Sequence, residues 1–236
     1  MTSPTYSNSA GRLIEYAMRD AGLLAKGQKP KSSDYAENMT RLNDLVNTMQ
    51  VSGIKLFLLE DISVTPVAGT QTYTMSPTGN VPMVKPMRVI NAYYLDSGGS
   101  ARPMIPMSQS EWIALSNRLA GGDTNQYYVD KQLSSLVIKV YPVPTASVAT
   151  GTFHFTVQNQ VPNFVSITDA SVFPVEWAMY LRWALADEIC TGQPQAIMAR
   201  CGQKAAFYRG LLEDWDQEET SVRFTPNLLH IQRSFE

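Results

Sequence analysis

Residues 173–219 read FPVEWAMYLRWALADEICTGQPQAIMARCGQKAAFYRGLLEDWDQEE and predict two consecutive amphipathic helices. Pro174 suits the first helical position, and Thr191, Gly192 and Pro194 interrupt the pattern between the helices. Apolar side chains recur at three- and four-residue spacing in the first helix, at Trp177, Leu181, Ala184, Leu185 and Ile189, and in the second, at Ile197, Cys201, Ala205, Tyr208, Leu211 or Leu212, and Trp215. Burying a large apolar side chain contributes about 1.5–3 kcal/mol, so both stripes require packing partners.

Two helices of the same kind are predicted at the N-terminal end. Ser7 or Ser9 caps the first, and Asp34 with Glu37 forms a capping box for the second, which ends near Gly53. Their apolar stripes are Leu13, Ile14, Ala17, Met18, Ala21 and Leu24, followed by Tyr35, Met39, Leu42, Leu45 or Val46, and Met49. The chain therefore opens and closes with a helical hairpin.

The region between the two hairpins predicts strands. Runs of β-branched and aromatic residues bounded by turn residues occur at 56–65, 71–75, 87–95, 102–107, 126–129, 136–141 and 152–158. Residues 96–100 predict a hairpin turn, and Ser108 with Glu111 predicts a capped short helix. Leu136, Ile138 and Val140 are predicted to share one face of their strand, and Phe153, Phe155 and Val157 one face of theirs. Such a region must close on itself or form two layers to bury its apolar faces.

The predicted fold class is therefore α+β. The hairpins of residues 1–54 and 173–219 form one antiparallel helical bundle, because otherwise neither apolar stripe has a partner within the chain. Residues 55–172 form an inserted antiparallel β domain, sandwich or barrel-like, with one short helix. Residues 220–236 form an extended C-terminal arm.

Composition excludes several classes of protein. The 236 residues are 44% hydrophobic and 17% charged with a net charge of −2, so there is no global basic field to hold nucleic acid. The low charge suits a subunit of a larger assembly. Cys190 and Cys201 are expected to be buried free thiols, and neither a signal peptide nor a membrane span is visible. We expect a soluble protein made in a reducing cytoplasm.

Signals for catalysis are few. His154 and His230 are far apart in sequence, and His154 alternates with phenylalanines, which predicts an outward-facing strand residue. No nucleophile motif, phosphate-binding glycine loop or metal-ligand spacing occurs, so no catalytic residue, cofactor site or metal site is expected. The acidic pairs Glu60–Asp61 and Asp187–Glu188 leave one enzymatic alternative open, a cell-wall hydrolase that cleaves glycoside bonds with two carboxylates.

Two stretches suggest contacts with partners. Lys26, Lys29 and Lys31 form a basic loop that either is simply solvated or contacts DNA phosphates when many copies surround a duplex. The C-terminal arm is rich in apolar and arginine side chains, which disordered tails normally lack. These are Arg223, Phe224, Pro226, Leu228, Leu229, Ile231, Arg233 and Phe235. The arm is predicted to order on a partner or, alternatively, to fold back on its own domain.

Three stretches resemble a known family. They are residues 13–22 (LIEYAMRDAG), residues 41–47 with 49–54 (RLNDLVN and MQVSGI), and residues 173–181 with 185–188 (FPVEWAMYL and LADE). Together they cover both helical hairpins, and the chain resembles the head–tail adaptor proteins of short-tailed bacteriophages. These are also called packaged-DNA-stabilisation or head-completion proteins and are related to tail tubular proteins.

The resemblance implies a structural, non-enzymatic connector in the virion, assembled in the host cytoplasm. It implies a ring, typically of twelve copies, that docks on the portal protein, extends the DNA channel and receives the tail nozzle. The C-terminal arm would reach the portal, and the basic loop is the candidate for transient, non-specific contact with channel DNA. A tail tubular or completion protein that binds elsewhere in the tail is the alternative within the same virion.

Overall fold

A computed structural model describes residues 9–51 and 56–215. The predicted cap Ser7, the helix end near Gly53 and the C-terminal arm lie outside the described residues. The five described α-helices are α1 (Ala10–Asp20), α2 (Ser32–Val51), α3 (Gln109–Ala114), α4 (Trp177–Ile189) and α5 (Gln195–Trp215). Short 3-10 helices occupy Leu56–Leu58 and Val148–Thr150.

Eleven strands lie between α2 and α4 in the described part of the chain. They are β1 (Leu59–Val64), β2 (Thr72–Ser76), β3 (Val81–Pro82), β4 (Arg88–Leu95), β5 (Ala101–Pro103), β6 (Ile105–Met107), β7 (Gly121–Gly122), β8 (Gln126–Lys131), β9 (Leu136–Tyr141), β10 (Val143–Pro144) and β11 (Thr152–Gln158). One sheet has the order β1-β11-β4-β5, a second has the order β3-β2-β9-β8-β6, and β10 pairs with β7. The α+β fold class is confirmed.

The helices from the two chain ends share one hydrophobic core. Ile14, Leu42 and Leu185, from α1, α2 and α4, are fully buried in the same cluster. Helix α4 packs against α1, α2 and α5. Asp20 at the end of α1 ties the chain ends together, because its carboxylate accepts hydrogen bonds from Arg182 and its carbonyl accepts one from Arg200. We call α1, α2, α4 and α5 the helical body.

The two larger sheets pack face to face around a separate core. Tyr73 contacts Phe153 edge-on and Tyr127 contacts Phe155, so aromatic rings from one sheet meet those of the other. The predicted inward-facing set is confirmed: Leu136, Ile138, Val140, Phe153, Phe155 and Val157 are all fully buried. The β region is therefore a sandwich. It departs from the prediction in that β2–β3, β6–β8 and β7–β10 are short parallel pairs, whereas the longer pairs are antiparallel.

Helix starts differ from the sequence prediction at two places. Asp34 lies in the third position of α2, and its carboxylate accepts the Lys31 N–H at 2.9 Å. It therefore occupies the N3 position, whose side chain bonds back to the N-cap backbone, and is not the N-cap residue itself. Pro174 is not the first residue of α4. It lies in a turn before the helix, in which the Pro174 carbonyl accepts the Trp177 N–H, and α4 begins at Trp177. Ser9 caps α1 by accepting the Arg12 N–H, and α1 ends before Leu24.

In the β region, the predicted strand over residues 102–107 is two strands in different sheets. The chain crosses from β5 to β6 at Met104, whose side chain is buried in the sandwich. The predicted strand start at Leu56 is a 3-10 turn, and β1 begins at Leu59. The hairpin between β4 and β5 is confirmed, with Gly99 at φ +82° where a left-handed residue is required, as is the Ser108–Glu111 capping box of α3.

Side-chain amides join the helical body to the sandwich. Asn43 on α2 donates to the Phe164 carbonyl at 3.0 Å and accepts the Phe164 N–H at 2.8 Å. Gln50, also on α2, accepts the Val161 N–H at 2.7 Å, and Gln158 at the end of β11 donates to the Gln50 carbonyl at 3.5 Å. The loop after β11 is thereby held on α2.

Candidate functional site

The basic loop is an ordered connection between α1 and α2. Arg19 donates to the Gln28 carbonyl at 3.2 Å, and the Gln28 side chain accepts the Ala25 N–H, so the loop is held from both sides. Lys26, Lys29 and Lys31 are all exposed. None of the three ammonium groups makes an ion pair with a described residue, so each remains available to an anion.

A cluster of arginines surrounds Tyr16 near this loop. The guanidinium groups of Arg12, Arg19 and Arg182 lie 5.8, 5.7 and 5.0 Å from its ring centroid, within the range of cation–π attraction. Arg12 donates to the Tyr16 hydroxyl at 3.5 Å and lowers the pKa of Tyr16. Glu15 neutralises Arg19 and Asp20 neutralises Arg182, so this cluster mainly joins α1 to α4.

The basic loop lies near the N-terminal end of α5. A Cβ built on Gly22, just before the loop, would lie 3.1 Å from Ile197 in the first turn of α5. In sequence, the arm comes after the other end of this 21-residue helix, and its own residues lie outside the described part of the chain. At ~1.5 Å per residue, the two ends of α5 are about 30 Å apart. The basic loop is therefore far from the last described residue before the arm.

Helix α5 is the outermost of the four helices in the helical body. It packs against α4, and only Cys201 and Leu212 of its described side chains are buried, which resolves the predicted choice between Leu211 and Leu212. Phe207 and Leu211, four residues apart on one face, are 56% and 51% exposed. The arm residues Arg223, Phe224, Pro226, Leu228, Leu229, Ile231, Arg233 and Phe235 lie beyond the described part of the chain.

Of the two acidic pairs, Asp187 and Glu188 are exposed consecutive residues of α4, and Glu60 with Asp61 does not form a two-carboxylate site. Glu60 and Asp61 are neighbours on β1, so their side chains leave opposite faces of the sheet. Glu60 accepts a hydrogen bond from Asn159 at 2.5 Å, whereas Asp61 binds His154 and Tyr93. Consecutive residues on one strand therefore cannot flank one substrate bond as acid and base.

One polar cluster was missed by sequence reasoning. On the outer face of the four-stranded sheet, His154 Nδ1 lies 3.0 Å from Asp61 Oδ2, and Tyr93 donates to the same oxygen at 3.1 Å. The Tyr93 ring stacks on the His154 ring at 4.6 Å, and Thr152 Oγ1 lies 3.4 Å from His154 Nε2. The period of β11 predicted that His154 faces outward, but its carboxylate partner is 93 residues away in sequence.

This cluster has the atoms of an Asp–His–hydroxyl relay without the rest of an acyl-transfer site. It lies on the face of an antiparallel sheet, where the backbone N–H groups of the central strand β11 lie in the plane of the sheet between its two partner strands. No helix N-terminus is part of the arrangement to supply oxyanion donors. The residues stabilise the β1–β11–β4 ladder as cross-strand partners.

The described residues contain no group of three or more metal-ligating side chains. Within the same residues, no helix is both long and apolar enough to cross a membrane. Cys190 and Cys201 are buried free thiols, as predicted. A cleft of about 450 Å³ lies between α2 and the edge of the sandwich and is lined by Asn47, Glu60, Met83, Val84, Asn159 and Asn163 among others.

No family model matches the chain, and no curated protein matches it. Two similar solved structures are a chain from the virion of a native gene transfer agent particle and a chain from the neck of an empty gene transfer agent particle. The first is 13% identical over 96% of this chain and 95% of that chain, with a TM-score of 0.30. The second is 12% identical over 96% and 98%, with a TM-score of 0.25. Similarity at this level does not establish a shared fold.

Proposed function

We propose that this chain is a structural connector, a head–tail adaptor of a tailed phage. Copies of the chain form a ring, twelve in the family that it resembles, which docks on the portal protein and extends the DNA channel. The ring then provides the surface to which the tail attaches. The observation that supports this proposal best is the shared core of the two end hairpins. Because of that core, the basic loop lies near the N-terminal end of α5, and the C-terminal arm comes after the other end of this helix in sequence.

The C-terminal arm is the portal-binding element in this proposal. In sequence it comes after α5, the outermost helix of the helical body. Its five aliphatic or aromatic anchors and two arginines are the kinds of side chain that lose the most water on binding a protein groove. An arm that orders on its partner combines a long reach with moderate affinity per unit area.

The basic loop is the DNA-facing element in this proposal. Its three exposed ammonium groups, without ion-pair partners among the described residues, attract phosphates wherever the ring places them on the channel. Three lysines per subunit in a protein of net charge −2 give contact without a strong hold, which suits DNA that must slide. The location that follows is the head–tail junction of the virion, with assembly in the host cytoplasm.

Binding of the purified portal tests the function. The full chain and a chain that ends at Glu219 are each titrated against portal rings by light scattering and visualised by electron microscopy. We expect the full chain to add a ring to the portal and the shortened chain to bind at least ~100-fold more weakly, since several anchors that each contribute 1–2 kcal/mol are lost. Equal binding of both chains would refute the role of the arm, and no binding of the full chain would refute the function.

A matched variant separates the two surfaces. Replacing Lys26, Lys29 and Lys31 together by Ala changes exposed side chains only, so the fold and the affinity for portal should be unchanged. Binding of the assembled ring to short duplex DNA should weaken and lose part of its salt dependence. Portal affinity that falls as far as in the shortened chain would place the loop at the portal together with the arm and overturn the separation of the two roles.

A further inference from the structure

Strand β1 is an edge strand with one free side. It pairs with β11 on one side only, and no other described strand lies beside it. The Leu58 carbonyl accepts the Asn159 N–H, so in this antiparallel ladder Leu58 and every second residue after it form their backbone hydrogen bonds with β11. Consequently Leu59, Asp61 and Ser63 direct their backbone N–H and C=O groups away from β11. Four to six such groups form a ready template for another strand.

The free side of β1 lacks most of the features that usually protect an edge strand. The strand contains no proline, no lysine and no bulge, and it is six residues long, so its protection by charge is limited to Glu60, on the core side, and Asp61. Two clefts lie along it, where the sandwich is open between β1 and β3. The first, of about 450 Å³, includes Glu60 and Met83, and the second, of about 340 Å³, includes Val64 and Val81. An additional strand would close this opening.

The two faces of β1 have distinct chemistry. Glu60, Ile62 and Val64 face the sandwich core, because their partners on β11 are Val157, Phe155 and Phe153, all of which are buried. Glu60 is exposed and receives only the Asn159 amide among the described residues. Asp61 and Ser63 face outward. A strand that fits here needs one cation and two apolar residues on one face and polar residues on the other.

The last residues of this chain have that pattern. Residues 229–235 read LHIQRSF, in which Leu229, Ile231, Arg233 and Phe235 alternate with His230, Gln232 and Ser234. This is a period-two pattern without proline, typical of a strand that buries one face.

We propose that, in the free subunit, residues 229–235 pair antiparallel with the free side of β1 of their own chain. Arg233 then faces Glu60, Ile231 faces Ile62 and Leu229 faces Val64. On the outer face, Gln232 lies beside Asp61 and His230 beside Ser63. A shift of one residue would place Arg233 and the apolar residues on the outer face. A parallel strand with Arg233 at Glu60 would place only Phe235 of residues 229–235 against the apolar part of β1.

The chain is long enough to reach this site. A series of neighbouring side chains connects the last turn of α5 to the start of β1. The pKa of Tyr180 is raised by burial and, to a smaller extent, by the charge of Glu213 in that turn, and the Tyr180 ring lies 6.0 Å from the Trp177 ring. The Trp177 ring in turn lies 5.5 Å from Phe57, just before β1. Residues 216–228 can span up to about 45 Å, whereas β1 is about 20 Å long. An attached strand acts at an effective concentration in the millimolar range, which favours its own chain over a second copy.

This contact goes beyond the proposed connector role, because it describes the subunit before it meets a partner. It covers the edge of β1 and thereby prevents edge-to-edge association of free subunits. A partner that binds the arm has to displace it from β1. The tests below use the subunit alone, so a negative result for this contact can be distinguished from a negative result in the portal-binding assay.

Disulfide trapping tests the register. Ile62 and Ile231 form a non-hydrogen-bonded pair in the proposed ladder, with Cα atoms about 4.5 Å apart, which suits a disulfide. The full chain with Ile62→Cys and Ile231→Cys is oxidised with copper phenanthroline and analysed by non-reducing electrophoresis and intact mass. The matched control, Ser63→Cys with Ile231→Cys, places the two thiols on opposite faces.

We expect an intrachain disulfide in the Ile62 and Ile231 pair, at least tenfold faster than in the control. Disulfide-linked dimers would instead place the arm on a second copy and overturn the proposal. Equal rates in both pairs, or no disulfide in either, would also overturn it, because neither is compatible with one fixed register.

A charge exchange provides an independent test that requires no crosslink. Hydrogen exchange of the Asp61 and Ser63 amides should be at least tenfold faster in the chain that ends at Glu219 than in the full chain. Glu60→Arg in the full chain should also accelerate exchange, and Glu60→Arg with Arg233→Glu should restore protection. Exchange rates at these two amides that are indifferent to the loss of the arm would exclude the contact.

Discussion

Replacing Ile14 by Ala tests whether the two ends of the chain form one folding unit. Ile14 is fully buried on α1, in the core that it shares with α4. Truncation of a buried Ile to Ala costs about 2–5 kcal/mol, of which the higher helix propensity of Ala returns a few tenths. We therefore expect the free energy of unfolding to fall by about 2–4 kcal/mol. A domain of this size retains enough stability to fold after such a loss.

The measurement is hydrogen exchange resolved by segment, supported by urea unfolding followed through tryptophan fluorescence. Because α1 and α4 bury their apolar faces against each other, amides of both helices should lose protection by the same factor, about 30- to 1,000-fold. Trp177 and Trp183 on α4 report the same loss of stability in fluorescence. Ile113→Ala, at a residue of the same type that is 60% exposed, serves as the control and should change stability by less than about 0.5 kcal/mol.

Loss of protection confined to α1, with α4 unchanged, would refute the shared core. It would mean that each hairpin is stable by itself and that the contact between them contributes little. A stability loss below about 1 kcal/mol would lead to the same conclusion, because a side chain in a well-packed core cannot be truncated at so small a cost.

Three further outcomes are expected. Asp20→Asn should cost about 1–2 kcal/mol in urea unfolding because Arg182 loses its charged partner, whereas Glu37→Gln, in an exposed pair, should cost less than about 0.5 kcal/mol. The pKa of Asp169 is lowered by the N–H groups of Ser166 and Val165, so its stabilising effect is present above the unfolded pKa and lost as the pH falls through the folded pKa. The difference in Tm between the wild-type chain and Asp169→Asn should therefore be largest above pH 5 and shrink towards pH 2; a difference that grows in acid would contradict this. Burial of the Cys201 thiol, and to a smaller extent its proximity to Cys190, raises the pKa of Cys201 to about 11. Iodoacetamide should therefore alkylate Cys201 at pH 8 about a hundredfold more slowly than a free cysteine. An alkylation rate comparable to that of a free cysteine would contradict the burial.

Much of the secondary structure follows from local sequence. The stripe from Trp177 to Ile189 and the alternation from Leu136 to Val140 are set by residue types a few positions apart, and both faces are buried as predicted. The capping box at Ser108 is equally local. The first residues of the helices follow less directly from local sequence. The cap of α2 lies three residues before Asp34, because a carboxylate can serve either as the cap or as the residue that reaches back to it.

Contacts between distant parts of the chain could not be derived from these patterns. The sequence placed His154 on an outer face but gave no sign of Asp61, since a partner on another strand depends on sheet order and register. Sheet order likewise divides residues 102–107 between two sheets at Met104; Pro103 and Pro106 in that stretch are typical of edge strands but do not indicate which sheet each half joins.

By itself, the sequence determined the helix–β–helix order, the apolar faces and the need for the end hairpins to find partners. Only the tertiary structure decided that those partners are each other, that the basic loop lies near the N-terminal end of α5, and that no described strand lies beside the free side of β1. The physical reason is that periodicity specifies which face of an element leaves water, whereas the choice among several compatible apolar faces is made by packing and strand register over long separations.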